Sequence, residues 1–397
     1  MSNPLKSLYE HGQSVWLDDL SRGLITRGDL QRLIDEDGLC GLTSNPSIFR
    51  KALTEGDEYR LLLEAPESQG LEAKALYERM VVTDIQDAAD AFRPLYLASN
   101  GREGYVSLEV SPKLANAVQG TLEEARRLWR AVGRENLMIK VPATQAGIRV
   151  LQQLIGEGIN VNATLLFAQA TYEQVALAYF SGLEERSKHG GDLSRMASVA
   201  SFFISRIDTA VDVFIAKMLE SYRDPVERDM LKSLLGQVAI SSAKLTYQKY
   251  LELIGGNRWK ELSRLGAQPQ RLLWASTGTK SLNYSDVLYV EELIGAGTVN
   301  TLPPQTLESF RDHGRVHSTL ESNVEEAART LARMERLGIP FKTITDKLLV
   351  KGLKQFEDAF DATLAAIRLS ARQSDHDPIT FLSIQLYREL ERGRHHP

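Results

Sequence analysis

Short apolar runs alternate along this chain with longer stretches in which apolar residues recur every three or four positions. The first pattern suits buried strands and the second amphipathic helices, and their alternation is the mark of repeated βα units around a parallel sheet. In order, the strand candidates are SVWLD near residue 16, GLCGLTS near 41, YVSLEV at 105–110, NLMIKV at 136–141, GINVNAT at 158–164, MASVASFF at 196–203, RLLWAS at 271–276 and GTVNTL at 297–302. Between them the spacing predicts helices. One runs from Thr121 to Val132, with Thr121 and Glu124 as a capping box and Ala125, Leu128, Trp129 and Val132 on one face. The opening MSNPLKSLYEHG reads as a short amphipathic helix with no apolar signal region.

Eight strands joined in this way predict a closed (β/α)8 TIM barrel. The runner-up is a doubly wound open sheet, but a Gly-rich dinucleotide turn follows none of the strands. Two segments exceed ordinary connections: extra helices are expected in the 50–100 region, and a helical C-terminal extension over 305–397. Its periodic stretches, Val324–Leu337 and Leu348–Leu369, precede a polar end, ERGRHHP, expected to fray. With no Pro/Ser-rich linker, residues 1–397 read as a single barrel domain with 305–397 packed on it.

Alternation within the strands gathers polar groups on one face. In NLMIKV, Leu137, Ile139 and Val141 form the apolar set, which puts Lys140 on the other face with Met138. The same parity turns Ser107 and Glu109 inward in the third run, groups Asn160, Asn162 and Thr164 in the fifth, and sets Asp18 opposite Val15 and Leu17 in the first. Barrel enzymes collect catalytic groups at the C-terminal ends of their strands, where a merely structural barrel would place branched apolar side chains. Lys140 is the most informative of these residues, because loss of hydration favours the neutral, nucleophilic amine. A lysine that snorkels outward or pairs structurally with Glu109 is the alternative on this evidence alone.

Composition removes several classes. With 47 Lys+Arg against 52 Asp+Glu the net charge is -5, and the basic footprint of a nucleic-acid binder is missing. Cys40 is the only cysteine, which excludes an internal disulfide and a multi-cysteine zinc site. The seven histidines are scattered, and His313 and His317 lie in a polar stretch that reads as a solvated loop, so no metal is assigned. Apolar runs of about 18 residues do not occur, which predicts a soluble, cytoplasmic protein without a membrane partner. Ser201 and Ser276 lack a nearby activating histidine and make poor hydrolase nucleophiles. STGTK at 276–280 lacks the Gly directly before Lys that a P-loop requires.

Seven segments in one order, GQSVWLDDLSR at 12–22, LTSNPSIF at 42–49, VSLEVSP at 106–112, NLMIKVPAT at 136–144, GINVNATLLF at 158–167, VASFFISRID at 199–208 and WASTGTK at 274–280, make the chain resemble the transaldolase family in its longer bacterial form. The resemblance implies transfer of a dihydroxyacetone unit from sedoheptulose 7-phosphate to glyceraldehyde 3-phosphate, giving erythrose 4-phosphate and fructose 6-phosphate, through a lysine Schiff base and without a cofactor. Carried over by position, Lys140 would form the Schiff base, Glu109 and Thr164 would act through a water, and Asp18 would take the C4 hydroxyl proton, with Asp19 a bystander. Asn45, Asn162 and Ser201 would contact the three-carbon unit, although Asn45 before Pro46 also has the residue type of a turn cap.

Arg206 and Ser276 would hold phosphate. Shorter members carry an arginine soon after that serine, whereas this chain has Thr277, Gly278, Thr279 and Lys280, so Lys280 and backbone N–H groups of the turn are expected to replace it. Two alternatives stay open: a fructose-6-phosphate aldolase of the same superfamily, and a sugar-phosphate-binding protein without chemistry. The related aldolases carry Gln where this chain has Glu109 and Tyr where it has Phe203, which favours transfer. A pyridoxal phosphate enzyme would need a partner for the ring nitrogen that the sequence does not offer. Surface and extension leave room for a homodimer.

Overall fold

In the computed structural model, which describes residues 3–55, 59 and 70–374, eight parallel strands close into a barrel in sequence order. They are β1 (Gln13–Leu17), β2 (Gly41–Thr43), β3 (Tyr105–Glu109), β4 (Leu137–Pro142), β5 (Val161–Leu166), β6 (Ser198–Phe203), β7 (Arg271–Ala275) and β8 (Thr298–Leu302). Closure comes from β1 pairing with β8, Gln13 opposite Thr298 through Leu17 opposite Leu302. Each expected strand is present, with the fifth displaced: it starts at Val161, so Asn160 precedes it. Asn160 joins strand ends, its amide donating to the carbonyls of Glu135 and Leu137 and its oxygen accepting from the Ala197 N–H.

Alternation sorts the strands into an apolar outer face and a layered polar interior. Ser107 on β3 and Asn162 on β5 are hydrogen-bonded at 3.1 Å although their strands are not neighbours, so the bond crosses the barrel. Nearer the N-terminal end, Arg271 donates to Ser14 and Glu103 at 2.7 and 2.9 Å, with the Arg102 carbonyl as a further acceptor. That largely buried ion pair sits at the bottom of the barrel, the end where residues serve stability. Gly41 is required where Trp16 packs flat on β2, since a Cβ there would come within 2.5 Å of the indole.

The helix expected from Thr121 begins earlier, at Val118, and the capping box does not form. Thr121 donates instead to the carbonyls of Leu114 and Ala117, and Glu124 accepts from the N–H of Ser111 at 2.6 Å and pairs with Lys74. Local spacing suggested a cap, but both side chains are spent on the loop after β3. His313 likewise is not in a loop: it ends the helix Pro304–His313 and bonds Asp286.

Of the expected additions, Pro46–Glu55 and Ala73–Ala98 are helical, as are Val324–Arg336 and Phe341–Ser374. The last, here the C-terminal helix, packs on the helices Pro46–Glu55, Ala73–Ala98 and Ser205–Ser221, over the C-terminal end of the barrel. The ERGRHHP segment lies outside the described residues. No helix among the described residues is long and apolar enough to cross a membrane.

Candidate active site

Because Ile139 and Val141 turn toward the helices, Lys140 points into the barrel, 4% exposed, where its Nζ donates to the Ser44 carbonyl at 3.1 Å. Glu109 stands opposite it in register on β3, with Oε2 3.8 Å from Nζ. Among the described residues neither carboxylate oxygen of Glu109 has a hydrogen-bond partner, and Thr164 Oγ1, on the other flank of β4, is equally buried and without one. Burial pushes the Glu109 carboxyl up to about 7, since the lost hydration outweighs the attraction of Lys140; Asp18 raises it further and Arg206 opposes. A separate void of about 20 Å³, room for one water, touches Glu109 beside Tyr77 and Phe360.

A bulge in β5 follows Thr164. The register shifts between Ala163 and Leu166, and Leu165 takes the left-handed conformation at φ 60°. Such bulges re-aim side chains near sites; this one leaves Thr164 inward and sends Leu165 against the C-terminal helix at Gly352.

Asp18 lies just beyond β1, its Oδ1 accepting from Thr43 Oγ1 at 2.8 Å. Thr43 has one hydroxyl proton, so its 2.8 Å contact with Thr301 is donated by Thr301. Asp19, the expected bystander, lines the same cavity, and burial raises its pKa against the Leu20 N–H and Lys51.

All the sequence-predicted residues except Glu109 and Asn162 line one cavity of about 300 Å³ at the C-terminal end of the strands. Asn162 is fully buried and tied to both its inward neighbours, accepting from Ser201 Oγ at 2.7 Å and donating to Ser107 at 3.1 Å, while Ser201 lines the cavity. Asn45 has both characters: it lines the cavity, while its Oδ1 receives the N–H groups of Ser47 and Ile48 at the head of the helix Pro46–Glu55.

The cationic end is formed by Arg206 and Lys280. Arg206 sits in the first turn of the helix Ser205–Ser221, whose dipole favours anions there. Ser276, at φ 56°, turns the chain after β7, and its Oγ lies 3.0 Å from Ser205 Oγ. Thr277 instead turns inward to Asn300. The cavity thus holds an enclosed amine, a carboxylate at the rim and an anion-binding end, and a carboxyl poised near neutrality stands behind the amine, 3.8 Å from it. That set suits imine formation with a carbonyl compound carrying an anionic group.

Lys51, Thr43, Thr301 and Phe356 also line the cavity and were not singled out from sequence. Strand parity could have found Thr43 and Thr301, each late in its strand. Phe356 carried no signal, because helical periodicity marks it only as a buried position.

A family model described as Transaldolase/Fructose-6-phosphate aldolase matches residues 15–367. The chain is 45% identical over 368 residues to Transaldolase 2 of Nostoc sp., covering 92% of this chain and 97% of the relative. It is 46% identical over 365 residues to the transaldolase of Thiobacillus denitrificans, covering 92% and 99%. The transaldolase of Trichodesmium erythraeum is 42% identical over 369 residues, covering 92% and 97%.

Proposed function

The chain belongs to the transaldolase/fructose-6-phosphate aldolase family and acts as a transaldolase on sugar phosphates, and from that premise we propose that Lys140 is the amine that carries the dihydroxyacetone unit. The observation that supports this most is the pairing of an enclosed lysine with a carboxyl 3.8 Å away that burial holds at about 7. A group with that value populates both its forms at neutral pH, as a residue must that is an acid in one step and a base in the next.

Lys140 Nζ attacks the C2 ketone of fructose 6-phosphate or sedoheptulose 7-phosphate to give a carbinolamine. Glu109, through a water oriented by Thr164, protonates the departing hydroxyl, and loss of water leaves the iminium. Asp18, with Oδ1 taken by Thr43, accepts the C4 hydroxyl proton on Oδ2. The C3–C4 bond then breaks, its electron pair moves into the iminium, and an aldose phosphate leaves while a three-carbon enamine stays on Lys140. A second aldose phosphate reverses the sequence. Asn45 and Ser201, the latter braced by Asn162, hold hydroxyls of the retained unit; Arg206, Ser276 and Lys280 hold phosphate.

We treat residues 1–397 as one barrel domain, with 305–397 as its extension, and place it in the cytoplasm; a homodimer is checked by light scattering. The decisive experiment follows glyceraldehyde 3-phosphate released from fructose 6-phosphate alone at known enzyme concentration. A burst near one equivalent that stalls until erythrose 4-phosphate is added is expected. Sustained release without an acceptor refutes retention of the enamine and makes the protein an aldolase.

A further inference from the structure

Arg206 is braced by a part of the chain outside the barrel. Its guanidinium lies 5.0 Å from the centroid of the Phe203 ring, and Nη1 donates to Oε1 of Gln355 on the C-terminal helix at 3.1 Å. One turn earlier on that helix, Gly352 lets the backbone approach so closely that an added Cβ would stand 3.0 Å from Leu165 and 3.5 Å from Arg206 Nη1. Phe356 lines the cavity, and Phe360 meets Tyr77 edge-on at 5.3 Å. Residues 352, 355, 356 and 360 follow helical spacing, so one face of this helix covers the site.

The chemistry of the brace matters. A carboxylate at this position would neutralise the guanidinium and compete with any anion. The amide oxygen of Gln355 takes up one N–H direction and leaves the positive charge uncompensated. We propose that Gln355 is a positioning residue that aims Arg206 at the phosphate of the substrate, so that the C-terminal helix sets the preference for phosphorylated over unphosphorylated sugars. This rests on the reading of Arg206 as a phosphate anchor.

Three measurements on the full-length protein test it: inhibition by inorganic phosphate against fructose 6-phosphate, KM and kcat for fructose 6-phosphate, and borohydride trapping of unphosphorylated dihydroxyacetone on the enzyme. Gln355 is exposed, so its variants are expected to fold. Gln355→Ala should raise the phosphate inhibition constant and KM by about five- to tenfold, the scale of one ordinary solvent-exposed hydrogen bond, with kcat within about twofold and trapping unchanged. Gln355→Glu, which offers the guanidinium a competing anion, should weaken phosphate binding further. An unaltered phosphate inhibition constant in Gln355→Ala, or a parallel loss of dihydroxyacetone trapping, overturns the proposal. Arg206→Ala separates the two readings. If it leaves phosphate inhibition intact, the anchor assignment fails and the inference with it; if it abolishes inhibition while Gln355→Ala does not weaken it, only the inference fails.

Discussion

Replacing Glu109 by Gln keeps the shape of the side chain and removes its ionisation, and the consequence should depend on pH in a defined direction. Moving a carboxyl from an ordinary 4.5 to about 7 favours its protonated form by roughly 3 kcal/mol. Between those two values the native protein holds a proton that the unfolded chain releases. Stability therefore falls as pH rises through this window and levels off above about 7. The wild type carries nearly all of this penalty at pH 8 and only about a quarter of it at pH 5, whereas the Gln variant carries it at neither.

The attraction of Lys140 3.8 Å away is already contained in the value of about 7, so the difference between the two pH values follows from the Glu109 titration alone, and a net stabilisation of about 2 kcal/mol at pH 8 relative to pH 5 is expected. Asp208, likewise raised to about 7 by burial, adds the same slope to both proteins and cancels in the difference. Calorimetric melting of both at pH 5 and 8 measures the gap. In parallel, the pH profile of kcat should lose its inflection near 7, and turnover should fall on the order of 100-fold. Equal melting offsets at the two pH values, or an inflection retained in the variant, would show that Glu109 is not the group titrating near neutrality.

Two further substitutions test other parts of the structure. Asp18→Ala should reduce aldose release from fructose 6-phosphate by about 100-fold or more, while borohydride still traps dihydroxyacetone; Lys140→Ala should abolish both turnover and trapping. Loss of trapping in Asp18→Ala would mean that Asp18 acts before carbon–carbon cleavage. At the other end of the barrel, Arg271→Ala strands Glu103, whose charge lies 2.9 Å from the guanidinium and out of water. Destabilisation of about 3 to 5 kcal/mol by denaturant titration is expected, and a change under about 1 kcal/mol would show that water reaches the site.

Strand parity placed Lys140, Glu109, Thr164 and Asp18 together because the two-residue repeat of a strand is a local property and closure of the barrel turns one parity inward. It misled at Asn160, where counting from the wrong strand start enrolled a residue that joins strand ends. The capping box failed for a related reason. The spacing of Thr121 and Glu124 is compatible with a helix start, but the partners that captured both side chains, Leu114, Ala117, Ser111 and Lys74, include groups beyond their turn. Asn45 showed that turn chemistry and cavity lining are not alternatives, since one amide oxygen serves the cap while the residue still faces the cavity.

Hydrophobic periodicity was sufficient for the barrel, the strand order and the inward polar set, since each depends on the repeat of local backbone geometry and on burial of apolar faces. Whatever depended on distance along the chain was decided in three dimensions. The Glu109 carboxyl is near neutrality because burial outweighs the attraction of Lys140 at 3.8 Å, Asn162 met Ser107 and Ser201 on other strands, and Gln355 reached Arg206 across 149 residues. Sequence spacing carries no record of such meetings. They arise when a closed barrel and the helix packed over its mouth bring remote side chains within a few ångströms, where desolvation and hydrogen-bond geometry set their chemistry.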